Sequence, residues 1–202
     1  MSGELDSSFN ERRYQIVVAG FHGDVDTARS AINDDDPMVR VSALRALDRL
    51  NSLDDEALAA ATHDSSSEVR RAAAELAATH PNVAVHHLVD DDDKFVAEMA
   101  AWALGERPSP SDEDIAVLIE RTTDHREAIV REACAAALGS IGDIRGLPAI
   151  LKACTDKPAV RRRAVLALAP FDGPDVEAAL TAALEDRDWQ VRQNAEILLH
   201  PR

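Results

Sequence analysis

The chain has 202 residues, 46% of them hydrophobic but only 3% aromatic, and its 22 basic and 37 acidic residues leave a net charge of −15. No apolar run reaches the ~18 residues needed to span a bilayer, which speaks against a membrane-spanning protein. The acidic bulk would repel a phosphate backbone, which argues against general nucleic-acid binding.

Residues 1–8 are polar and are expected to be disordered. Residues 9–19 can form one helix, with Phe9, Tyr14, Ile16 and Val17 available for packing. It has no partner helix of its own and reads as an N-terminal cap, ended by Gly20 and Gly23. The start of the chain lacks the apolar core of a signal peptide, and the two cysteines lie far apart on different predicted helices. Both features suit a protein of the reducing cytoplasm.

From there one unit recurs. Its clearest copy covers residues 123–142: a polar turn, then a helix expected to begin at Glu127 and stop at Gly139. Val130, Cys134, Ala137 and Leu138 fall on one helical face at i, i+4, i+7 and i+8. The Val-Arg pair is the marker: Val39-Arg40, Val69-Arg70, Val130-Arg131, Val160-Arg161 and Val191-Arg192, with a sixth copy, Val96-Ala97, that has lost its Arg. The valines are spaced by 30, 27, 34, 30 and 31 residues. A period near 30 with helical spacing inside it signals stacked helical hairpins.

A first helix precedes each marker, over roughly residues 24–33, 53–62, 81–89, 112–122, 143–154 and 174–185. Acidic turns join the two helices, among them Asp34 to Asp36, Asp64, Asp90 to Asp93, Asp124, Asp156 and Asp186. An Asp there can cap the second helix, and the marker Arg can reach the Asp of its own turn or of the next. Pro108 and Pro110 make residues 106–111 the longest connection. Pro148 is tolerable if its helix starts late. Leu198 and Leu199 close the last repeat and leave its apolar edge open to a partner or a second copy.

The order Asp, Val-Arg, two small residues and Leu-Gly, as in Asp124, Val130-Arg131 and Ala137-Leu138-Gly139, resembles the HEAT repeat. The short, Ala-rich form is similar to repeats of the bilin-lyase-like class. The resemblance covers about residues 22–200. It implies an all-α fold, a right-handed α-solenoid of about six hairpins with an N-terminal capping helix, forming a single domain over residues 9–202. It also implies a protein-binding scaffold more often than an enzyme.

Cys134 and Cys154 read as small core residues rather than nucleophiles. His86 with Asp90, and His87 with Asp91, have the i, i+4 spacing of metal ligands but no third ligand, so no metal or other cofactor is expected. The His-Glu dipeptides of HEAT-like di-iron hydroxylases are absent. With the marker Val as position one, positions three and seven lie at about 200° and 240° on the helical wheel, away from the core. These second helices line the concave surface of HEAT solenoids. That places Arg45, Arg71, Trp102 and Arg162 on a candidate face for a protein partner. Trp102 is either an anchor there or a packing residue between repeats. Trp189 reads as a packing residue. The expected function is a non-catalytic scaffold. A bilin-lyase-like enzyme is the alternative, and a nucleic-acid-binding protein ranks behind both.

Overall fold

The computed structural model describes the backbone of residues 2–200 and the side chains of residues 10–200. Residue 1 and the side chains of residues 2–8, where disorder is expected, lie outside the described parts, while the backbone from Ser2 belongs to the first helix. Among the described residues the regular elements are twelve α-helices and two short 3-10 turns, with no strand. The chain divides into two compact units, Met1–Ala84 and Val85–Arg202.

The first unit holds α1 (Ser2–His22), then two hairpins: α2 (Val25–Ser30) with α3 (Pro37–Arg49), and α4 (Asp55–Ala61) with α5 (Ser67–Leu76). The second unit opens with a 3-10 turn (His86–Asp90) and α6 (Lys94–Glu106). It continues with α7 (Asp112–Asp124) and α8 (Ala128–Ile141), α9 (Leu147–Ala153) and α10 (Pro158–Ala167), and α11 (Pro174–Ala183) and α12 (Trp189–Leu199). This alternation of first and second helices in repeating register is the α-solenoid architecture. Position one of the repeat is at most 1% exposed in all six copies, and position five is fully buried in all six. Each such valine contributes about 1.5–3 kcal/mol by leaving water.

Three local expectations need correction. Residues 81–89 do not form an α-helix; they make turns and the 3-10 element. Their buried side chains are Val83, Val85, Leu88 and Val89, a mixed spacing with no single helical face. Gly139 does not stop α8. The helix runs on to Ile141, and Gly142, at φ 69°, provides the left-handed cap. Gly139 serves packing instead: a Cβ there would lie 2.6 Å from the Cα of Ala167 on α10. Gly105 stands in the same relation to Ala137, at 2.7 Å, and Gly20 to Ala46, whose Cβ would be 2.9 Å away. Lastly, the outer face of α12 is not apolar. Position six is a buried Leu, Ala or Val in the other copies, but α12 carries the exposed Glu196 there.

The marker arginines form a ladder. Arg40 donates from Nε and Nη2 to the carboxylate of Asp64 in the next turn, at 2.9 and 2.6 Å. Arg131 does the same to Asp156 at 2.6 and 2.9 Å, and Arg161 to Asp186 at 2.8 and 2.8 Å. Each also donates from Nη1 to a carbonyl of its own turn: Asp34, His125 and Asp156 respectively. Arg70 and Arg192 make the own-turn bond as well, to Asp64 and Asp186. Both options read from the sequence are therefore realised at once: own-turn carbonyl and next-turn carboxylate. Geometry explains why: only a guanidinium fork offers donors along two edges simultaneously.

The ladder carboxylates titrate below their ordinary range. The Arg131 and Arg161 hydrogen bonds are the leading cause for Asp156 and Asp186. At Asp64 burial pushes upward, but the bonds from Arg40 and the Ser66 N–H together outweigh it. Where Ala97 replaces the marker Arg, Arg121 of α7 fills in, pairing with Asp90 at 2.6 Å and with Asp124 at 3.1 Å.

Candidate functional site

The exposed face of each second helix is set by the core on its other side. With positions one and five buried in every copy, position seven points outward, and position three does so outside α3. In the second unit, position seven runs Trp102 on α6, Ala136 on α8, Leu166 on α10 and Ile197 on α12. Trp102, Leu166 and Ile197 are 44%, 38% and 56% exposed. Large apolar side chains thus recur at one register on three of four successive second helices. An apolar row of this kind marks an interaction surface more strongly than scattered exposed residues do.

Charges flank the row, but most are already paired. Arg162, at position three of α10, donates from Nε to Asp188 at 3.0 Å, and its carbonyl accepts from the Asn194 side chain at 3.0 Å. The Arg162 hydrogen bonds bring the Asp188 carboxyl down to about 2. Arg163 lies 3.7 Å from Glu132 on the neighbouring helix. Arg162 is thus tied to Asp188 by charge-assisted hydrogen bonds that a partner would have to replace.

In the first unit, Arg45 on α3 pairs across to Glu75 on α5 at 2.7 Å, both at position seven and both half-exposed. Arg71 on α5 is exposed. Val41, which shares position three with Arg71, is buried at 5%, so position three is not uniformly outward. Arg45 and Arg71 lie in the first unit, and Trp102 and Arg162 in the second. Leu166 and Ile197, which complete the row with Trp102, were legible as position-seven residues; the signal was apolar side chains where a surface register predicts polar ones.

Other sequence candidates resolve differently. Trp189 at the start of α12 is 61% exposed, so it is not the packing residue expected, because it precedes the marker Val by two positions and leaves the core face. Cys134 is fully buried and burial drives its thiol pKa strongly upward. Cys154 is pushed up to about 12, also by burial. Neither thiol is poised as a thiolate at neutral pH. His86 lies 3.7 Å from Asp114, whose carboxylate already accepts from Arg107 and from the Ser111 N–H. Among the described residues no three His, Cys, Asp or Glu side chains converge as metal ligands would. No described helix is long and apolar enough to cross a membrane.

Comparison with known proteins places this geometry. A family model described as HEAT repeats matches three times, over residues 55–139, 83–159 and 115–199. Among solved structures, the Escherichia coli protein YibA is 20% identical over 86% of this chain and 69% of that one, with a TM-score of 0.62. An engineered protein is 21% identical over 87% and 97% of the two chains, with a TM-score of 0.65. A designed armadillo repeat protein in complex with the peptide (KR)4 is 18% identical over 98% and 92%, with a TM-score of 0.50. A comparison with curated sequences gave no match.

Proposed function

This chain belongs to the HEAT-repeat family, and from that premise we propose that it is a non-catalytic scaffold that binds a protein segment along the exposed face of its second helices. The observation that carries the reading is the row of Trp102, Leu166 and Ile197 at one repeat register. Such a row offers apolar anchor points at one register, interrupted at Ala136, which a helix or an extended segment with matching apolar side chains can fill. Trp102 is the anchor of this face in the second unit, where Arg162, already tied to Asp188, is peripheral to the contact; Arg45 and Arg71 belong to the second helices of the first unit. That a designed repeat protein takes a peptide is a precedent for the mode of binding. The family match running from 55 to 139 across the junction at Ala84 supports one repeat domain over residues 9–202. A cytoplasmic location belongs to the same proposal and is supported by the two free thiols.

The test is affinity capture from the native cell extract with wild type beside a Trp102→Ala/Leu166→Glu double variant. Both side chains are only partly exposed, so the variant should lose about 1–3 kcal/mol, and a thermal melt confirms that it remains folded before capture. A stoichiometric partner lost in the variant supports this face. A partner retained by the variant removes the face from consideration while leaving the scaffold reading in place. A co-purifying pigment without any protein would instead favour the bilin-lyase-like enzyme.

A further inference from the structure

The N-terminal helix is more than a cap. Arg12 donates to Asp34 at 3.1 Å, as Arg40 does to Asp64, so Arg12 occupies the marker-Arg position. Gly20 abuts Ala46 as Gly139 abuts Ala167. α1 is therefore a second helix in full repeat register. Counting from Glu11 as position one, Ile16 and Gly20 at positions six and ten face α3 and are buried. Positions four and eight of α3, Ser42 and Ala46, are the buried face that receives α1. The equivalent face of α1 carries Tyr14, Val18 and Phe21, with Val17 beside them. Tyr14 is 65% exposed, Phe21 66% and Val17 41%. Arg49 stacks over one face of Phe21, 4.1 Å from its centroid, which fixes the ring without covering it.

We propose that this face of α1 is a self-association surface that pairs with α1 of a second copy about a two-fold axis. Two observations choose that occupant. The pattern is self-complementary: in an antiparallel pair centred between residues 17 and 18, Tyr14 meets Phe21 of the second copy and Val17 meets Val18. The helix also continues the stacking surface used inside the repeats, with aromatic residues at two positions where α3 carries Ser42 and Arg49. Head-to-tail stacking is disfavoured by the face of α12 that would have to receive α1. The stacking face of α12, set by position six, presents Glu196 with Gln193 beside it, and burying Glu196 against Tyr14 and Phe21 would strand a carboxylate in an apolar contact. Each copy carries −15, so pairing strengthens as added salt screens the repulsion.

The experiment is sedimentation equilibrium of the full chain from micromolar to high-micromolar concentration, at low and moderate salt, beside Tyr14→Glu/Phe21→Glu. The expected result is a reversible species of twice the 21.9 kDa chain mass, favoured by salt and lost in the variant. A second readout does not depend on the charge substitutions. Val17→Cys/Val18→Cys should give a covalent dimer on mild oxidation, and Gln193→Cys should not. A monomer at every concentration overturns the proposal and leaves the face to a different protein. A dimer retained in the double Glu variant, or growth beyond two copies, overturns it as well.

Discussion

Arg131 offers the sharpest test of how the repeats are held together. Its side chain is only 10% exposed, that of Asp156 is 22% exposed, and together they span two successive repeats. Arg131→Ala removes two charge-assisted hydrogen bonds to Asp156, one to the His125 carbonyl at 2.7 Å and a longer one to the Arg126 carbonyl at 3.4 Å. It leaves the Asp156 carboxylate partly buried with only the Lys157 N–H at 2.6 Å. Removing one partner of a fully buried pair costs about 3–5 kcal/mol. Residual solvent access at Asp156 sets the expectation at the low end, about 3 kcal/mol. Urea unfolding followed by far-UV circular dichroism measures it, with the exposed Arg187→Ala as a control expected within about 0.5 kcal/mol of wild type. A double-mutant cycle with Asp156→Ala should return a coupling of about 1–3 kcal/mol. A cost below about 1 kcal/mol with no coupling would show that the ladder behaves as an ordinary surface ion pair and would refute its role in joining repeats.

Three further outcomes follow from the same geometry. Gly139→Ala should destabilise by about 1–3 kcal/mol, because the new Cβ meets the Ala167 backbone rather than a flexible side chain; a neutral effect in thermal melts would show that α8 and α10 separate freely. The folded carboxyls of Asp64, Asp156 and Asp186 lie below the unfolded value of about 3.9, so their contribution is fully present above that pH and is lost as pH falls through the lower folded values. Urea midpoints should be flat with respect to these groups from neutral pH down to about 5 and drop below about 4, and the drop should shrink in Asp156→Asn. Finally, both thiols of the folded chain should resist a disulfide reagent at neutral pH and react on unfolding, since Cys134 is buried and Cys154 is held near 12. A fast-reacting thiol in the folded chain would reopen the enzyme reading.

The repeat was determined by the sequence itself. A valine every 27 to 34 residues, with a small residue four positions on, has one low-energy solution: helices that bury that face against each other. The period therefore specified the six second helices and their core face without any knowledge of partners, while the first helix expected over residues 81–89 and the outward setting of position three at Val41 did not follow from it. It also encoded α1, since Asp6-Ser7-Ser8 followed by Arg12-Arg13 repeats Asp64-Ser65-Ser66 followed by Arg70-Arg71, although the absent marker Val hid the copy. What the tertiary structure alone decided was which groups each side chain meets. It fixed that Arg131 reaches forward to Asp156 while holding its own turn, and that Arg121 replaces the Arg missing at Ala97. It showed that Gly139 marks a close helix crossing rather than a helix end, and that Arg162 is paired while Trp102 and Leu166 are exposed. Periodicity sets which way a side chain points from its own helix. Whether it then meets a carboxylate, a neighbouring backbone or water depends on how closely the next repeat stacks, and that distance is set by the volumes of side chains one repeat away.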